Sequence, residues 1–244
     1  HHGGGLDSGA RRRDPAVSPL AAAALALSAG YLLGSIPTSI IVGKLFFHTD
    51  IRTRGSGNAG GTNTFRAFGW KAGVFVSAFD VGKGAAAALL GAALGRALGP
   101  GAAFPAWAPA PEVLGLAGGV AAVAGHVWTV FAGFRGGKGV ACAGGLLLAL
   151  APLPFLAAAA VFALLLGGFG IVSLASVGAA LAFPVALTVA KLAGAGVGIP
   201  LLGAAWLLGP FIAWTHRANL KRLARGEEKS FPKLRVIGRF FDKK

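Results

Sequence analysis

The chain has 244 residues, 55% of them hydrophobic, with 23 Lys and Arg against 8 Asp and Glu, a formal net charge of +15. Charged residues make up 13% of it, about half the share usual in a soluble domain, and none falls within residues 15–43 or 139–190. Runs of that length exclude an ordinary soluble enzyme and read as membrane spans. The 40 glycines follow no Gly-x-y period, which excludes collagen and suits helices that approach closely in a bilayer.

Residues 1–9, HHGGGLDSG, look like a tag remnant, and the chain holds no Met. The native start is therefore expected to lie elsewhere, and residues 1–15 are set aside as a flexible N-terminus. A cleaved signal peptide at 16–34 is the alternative to a first span. The apolar run continues to Phe47 without a clear small-residue cleavage site, which favours the span.

Apolar segments follow at 17–47, 72–95, 113–133, 139–169, 171–190 and 198–215. The stretches 44–71 and 217–244 are basic, and basic loops face the cytoplasm, whereas 97–111 has no basic residue and is expected outside. Six spans would put the two basic stretches on opposite sides. The Pro152-Leu-Pro154 pair divides 139–169 into a short helix, 139–150, and a second, 154–169. The expected fold is thus an all-α integral membrane protein of seven transmembrane helices, N-terminus external and C-terminus cytoplasmic. The transmembrane domain spans 16–216 and a basic C-terminal segment 217–244. Arg11, Arg12 and Arg13 break the charge rule. The tail 230–244 mixes Phe231, Leu234, Ile237, Phe240 and Phe241 with basic residues. It reads as an amphipathic surface segment on anionic lipid, or as a disordered basic tail.

Seven spans bring four polar segments, 48–71, 134–138, 169–176 and 216–222, to one face. The first carries Gly55, Ser56, Gly57, Asn58, Gly60, Gly61, Thr62, Asn63 and Arg66. Closely spaced glycines allow positive φ and expose backbone N–H groups as an anion nest, while arginine forks two phosphate oxygens. Gly55-x-Gly57-x-x-Gly60 is not a dinucleotide fingerprint, since a membrane span and a basic loop precede it instead of a strand. Ser56 is not a nucleophile elbow, because Arg54 and Asn58 stand where Gly-x-Ser-x-Gly requires glycines.

The second segment holds Gly136, Gly137, Lys138 and Gly139. It departs from a P-loop at Ala132 and at Gly139, so no Mg²⁺-nucleotide is implied. The turn offers amides at a helix start together with an ammonium. Ser173 and Ser176 share one face of a later span, and His216, Asn219 and Arg222 recur at intervals of three. Asp80 and Lys83, at i and i+3, suit a buried ion pair, and His126 suits helix packing. The basic excess answers to sidedness and to anionic ligands, so no nucleic-acid partner is expected and no obligatory protein partner is inferred. With one cysteine, Cys142, there is no disulfide or Cys-based zinc site. No carboxylate cluster marks a divalent-metal site. No metal and no cofactor is expected.

Ser35-Ile-Pro37, Gly55-Ser-Gly-Asn-x-Gly-x-Thr-Asn63 with Arg66, Asp80-x-x-Lys83-Gly84, Gly125-His126, Phe134-Arg-Gly-Gly-Lys-Gly-Val-Ala141, Ser173-x-x-Ser176 and His216-x-x-Asn219-x-x-Arg222-Leu-x-x-Gly226-x-Glu228 resemble the bacterial acyl-phosphate:glycerol-3-phosphate acyltransferases. The likeness covers roughly 20–229, departs at Gly61, where that family usually has Ala, and does not extend to 230–244. It implies a seven-helix enzyme of the bacterial cytoplasmic (inner) membrane. The reaction implied passes an acyl group from acyl phosphate to the 1-hydroxyl of sn-glycerol 3-phosphate, giving lysophosphatidate and phosphate. Ser56, Arg66, Lys138, His216 and Asn219 would be its catalytic residues. Gly55, Gly57, Asn58, Gly60, Thr62, Asn63, Gly136, Gly137, Gly139, Ser173 and Ser176 would be its binding residues. Physics demands cations here: two dianions about 5 Å apart repel by roughly 13 kcal/mol at an effective dielectric of about 20. A transporter of an organic phosphate anion is the main alternative, and a lipid-binding scaffold a weaker one. Transporter sites lie near the midplane, whereas these motifs gather at one face.

Overall fold

The computed structural model describes residues 18–99, 104–105 and 108–234, so the expected tag remnant and residues 235–244 lie outside the described residues. The described residues fold into ten α-helices: α1 Pro19–Ser35, α2 Thr38–Phe47, α3 Gly61–Phe68, α4 Trp70–Ala97, α5 Ala110–Val127, α6 Val140–Leu150, α7 Pro152–Phe169, α8 Val172–Leu192, α9 Ile199–Thr215 and α10 Arg217–Ala224. Five stretches are long and apolar enough to cross a bilayer: Pro19–Phe47, Trp70–Ala97, Ala110–Ala132, Pro152–Phe169 and Val172–Leu192. A sixth arises if α9 and α10, bent by 62°, count as one. The remaining apolar helix, α6, has 11 residues.

The break between α6 and α7 falls at Ala151, and both Pro152 and Pro154 sit in the first turn of α7. Proline is at home there because the first-turn amides have no intrahelical acceptor to lose. The segment 61–68, expected as part of a loop, is instead helix α3, so Thr62, Asn63 and Arg66 stand on a rigid element.

Helix α4 is central and packs against α1, α5 and α6; α7 packs on α8, and α8 on α9. Close approach explains the glycine content. A Cβ on Gly84 would collide with the Cys142 carbonyl of α6, and one on Gly145 of α6 with the Val81 carbonyl of α4. The short helix α6 is sheltered by this backbone-to-backbone contact. Outward, Leu164, Leu192 and Leu207 are 73%, 82% and 75% exposed. Large apolar side chains presented in this way suit a lipid surround.

Pro37 interrupts the first span between α1 and α2, which frees backbone carbonyls in the apolar interior. Two side chains satisfy them: Lys83 Nζ donates to Ile36 O at 2.9 Å, and Thr129 Oγ1 to Ser35 O. Asp80 Oδ1 in turn lies 2.8 Å from Lys83 Nζ, accepts from Thr38 Oγ1 at 3.2 Å and sits 3.6 Å from His126 Nδ1. The i, i+3 ion pair is thus formed and holds a broken helix together. His126, expected only to pack helices, belongs to the same buried cluster.

Candidate active site

A cavity of about 1100 Å³ opens between α3, α4, α6, α7, α8 and α9. Its two ends differ in chemistry. One end is polar and gathers Ser56, Asn58, Gly60, Thr62, Asn63, Arg66, Lys138, Gly139, Ser173, Ser176, His216 and Asn219, so residues from all four polar segments meet. The other end is apolar, lined by Leu147, Phe155, Phe162, Ala179, Phe183 and Leu208 among others. From Ser173 to Phe183 along α8 the lining runs about 15 Å at the helical rise of 1.5 Å per residue.

Gly55, Gly57, Gly136 and Gly137, expected to cradle the ligand with their amides, are not among the residues that line this cavity. The backbone uses three of those four amides itself. Gly57 N donates to Arg54 O at 3.0 Å, Gly136 N to Val127 O at 3.1 Å and Gly137 N to His126 O at 3.0 Å. A Cβ on Gly137 would strike the His126 ring, so glycine is required here for close packing. Gly55 and Gly57 have φ of 60° and 74° and bend the loop. The free amides belong to the first turns of α3 and α6, at Gly61 and Thr62 and after Gly139, where a helix leaves N–H groups unpaired.

Asn63 also serves differently from expectation. It is 1% exposed. Its Oδ1 accepts from Ser56 N at 2.8 Å, and its Nδ2 donates to Ile51 O, Arg54 O and Asn58 O. Its hydrogen-bonding capacity goes into shaping the loop that carries Ser56.

Lys138, Asn219 and Glu228 form a chain of hydrogen bonds. Lys138 Nζ donates to Asn219 Oδ1, and Asn219 Nδ2 donates to Glu228 Oε1 at 2.6 Å. Ser173 Oγ donates to the same oxygen at 3.0 Å, and Arg222 Nε to Glu228 Oε2 at 2.8 Å. Glu228, outside the expected site residues, is therefore its organising carboxylate. The signal was its place in the motif ending Gly226-x-Glu228. Burial alone would raise its carboxyl, but the bonds from Asn219, Ser173 and Arg222 hold it below the usual range. Burial pushes the Lys138 ammonium down to about 8, with Glu228 opposing and Arg222 and Arg66 assisting. Arg66, Lys138 and Arg222 against the single Glu228 leave the polar end with surplus positive charge.

His216 lies at the bend between α9 and α10, with Nδ1 2.8 Å from Ile212 O. A carbonyl only accepts, so Nδ1 carries the hydrogen and Nε2 of the neutral ring is a bare acceptor. Such a ring can receive a hydrogen bond from a hydroxyl but cannot donate one to an oxyanion.

The tail enters the site as well. Phe231 N donates to Gly170 O at 2.7 Å, and Phe231, Pro232 and Leu234 line the cavity. Phe231 and Leu234, expected on a lipid-surface segment or in a disordered tail, thus stand at the cavity.

The family model for glycerol-3-phosphate acyltransferase matches residues 24–226. The chain belongs to the glycerol-3-phosphate acyltransferase family. The protein of that name from Chlorobaculum parvum is 44% identical over 221 residues, covering 83% of this chain and 93% of the relative. That from Chlorobium phaeobacteroides strain BS1 is 42% identical over 226 residues, covering 83% and 93%. Two crystal structures of PlsY (YgiH), an integral membrane glycerol 3-phosphate acyltransferase, are similar to the whole fold. The glycerol 3-phosphate form aligns with a TM-score of 0.73 at 36% identity, over 86% of this chain and 95% of that one. The lysophosphatidic acid form aligns with 0.70 at 34%, over the same shares. Family membership does not favour the transporter reading, and the acyltransferase is a multi-pass membrane protein.

Proposed function

We propose that this acyltransferase moves an acyl group from acyl phosphate to the 1-hydroxyl of glycerol 3-phosphate, releasing lysophosphatidate and phosphate. The observation that carries the reading is the two-ended cavity. Its cationic end suits phosphate groups and its apolar end an acyl chain, so both substrates fit one enclosure. We also propose seven crossings, with α6 as the short one, the polar end facing the cytoplasm of a bacterial cell, and domain limits at 16–216 and 217–244. The two basic stretches support that sidedness.

Arg66, Lys138 and the first-turn amides of α3 and α6 hold and neutralise the two phosphates. Asn58, Gly60, Thr62, Gly139 and Ser176 shape the same polar end; Gly55, Gly57, Asn63, Gly136 and Gly137 act behind it by shaping the two turns. Ser56 and His216 orient the acceptor, and Asn219 with Ser173 keeps Lys138 and Glu228 in place. The acceptor oxygen attacks the acyl carbonyl carbon, the bond from that carbon to the phosphate oxygen breaks, and phosphate leaves. The hydroxyl proton passes to a phosphate oxygen. No acyl-enzyme forms, because an acyl phosphate is already activated and positioning with charge stabilisation carries the rate.

The test is purified protein in lipid with palmitoyl phosphate and glycerol 3-phosphate, followed by phosphate release and lysophosphatidate formation. Equal amounts of the two products, unaffected by EDTA, are expected. Turnover with a thioester donor but none with the acyl phosphate would overturn the assignment of the donor.

A further inference from the structure

The family match ends at residue 226, yet the chain continues across the mouth of the site. We propose that this continuation, Lys229 to Phe231, positions the Arg66 guanidinium for phosphate, with Phe231 as a positioning residue. The proposal rests on the reading of Arg66 as a phosphate ligand and goes beyond it.

The contacts act on different parts of one side chain. The Arg66 guanidinium carbon stands 4.8 Å from the centre of the Phe231 ring, and Arg66 NH2 donates to Lys229 O at 2.9 Å. The ring lies against the guanidinium and the carbonyl holds one of its nitrogens, so two separate contacts restrain the same group. Lys229 O takes one of the two NH2 hydrogens, so the guanidinium keeps one edge with two parallel N–H groups, which match two phosphate oxygens.

The strap is itself anchored on both sides of Arg66. On one side Glu228 is held by Arg222, Asn219 and Ser173; on the other Phe231 N is bonded to Gly170 O. A free arginine side chain loses considerable rotamer entropy when it grips a ligand. Holding it beforehand removes that loss from the binding step. The strap also pulls away none of the cation's charge, since a ring face and a carbonyl oxygen are both neutral.

Kinetics on the full chain in lipid, with thermal unfolding run alongside, test this. Phe231→Leu keeps an apolar side chain but removes the ring face, whereas Phe231→Trp keeps the face. Phe231→Ala and Phe231→Leu should each raise KM for glycerol 3-phosphate by roughly threefold to thirtyfold, with kcat within about twofold. Phe231→Trp should stay near the parent. In an Arg66→Ala background, Phe231→Ala should add nothing. A Phe231→Leu enzyme with parental KM would overturn the proposal, as would a Phe231→Ala effect undiminished without Arg66. If Arg66→Ala raises KM while no Phe231 variant does, only the positioning role falls. If Arg66→Ala leaves KM unchanged, Arg66 is no phosphate ligand and the proposal falls with that reading.

Discussion

Asn219 is oriented by Glu228. Its Nδ2 donates to the Glu228 carboxylate at 2.6 Å, which turns its Oδ1 towards the Lys138 ammonium. An ammonium has only donors and a carboxylate only acceptors, so the amide has one way to sit between them. Glu228→Gln should disturb that order, because a neutral amide bonds Arg222 and Asn219 more weakly. A fall in kcat/KM of about tenfold to 150-fold is expected, matching loss of a charge-assisted bond worth about 1.5–3 kcal/mol. Steady-state kinetics on protein of normal unfolding temperature would check it. An unaltered kcat/KM would remove Glu228 from the site.

Lys138 gives the pH dependence a sign. Its ammonium is pushed down to about 8, so in the free enzyme the charge is present below that pH and lost above it. Attraction for a phosphate dianion should fade as pH rises through about 8, seen as a fall in kcat/KM for glycerol 3-phosphate. Lys138→Arg, charged throughout, should lack that alkaline limb whatever its plateau. Glu228→Gln should move the limb to lower pH, since Glu228 is the group opposing the shift. A limb that persists unchanged in Lys138→Arg would assign it elsewhere.

His216 separates two mechanisms. If a phosphate oxygen takes the hydroxyl proton, His216→Gln should keep kcat within about tenfold, because an amide can still accept a hydrogen bond. A drop of about 10²–10⁴-fold with substrate binding intact would instead make the histidine the general base. The ring geometry, with Nδ1 committed to Ile212 O, leaves Nε2 as the atom on which either role depends.

Asp80 and Lys83 are 2% and 6% exposed, so removing one charge strands the other. Asp80→Asn should cost about 3–5 kcal/mol of stability, and the Asp80→Asn, Lys83→Met double variant should recover much of it. Unfolding midpoints in detergent compare the three proteins. A double variant no more stable than Asp80→Asn alone would show that Lys83 matters mainly through its bond to Ile36 O.

Composition and local pattern determined the membrane class, the apolar segments and the four polar segments, because lipid excludes unpaired charge from a span and the Pro152-x-Pro154 pair suits only the first turn of a new helix. The break at Ala151 and the Asp80–Lys83 pair were legible for that reason. The residue types of the site were legible too, since phosphate calls for cations and hydroxyls wherever it binds. What a residue does with its hydrogen bonds was not. Gly136 and Gly137 look like a phosphate cradle until the carbonyls of Val127 and His126, at the end of α5, take their amides. Asn63 reads as a ligand until the loop around it consumes its side chain. Glu228 and Phe231 reach the site only because the chain turns back after α10 and crosses the cavity mouth. Such pairings cross from one element to another, and they are fixed by which buried polar group lies within about 3 Å of which other. Tertiary packing alone decides that.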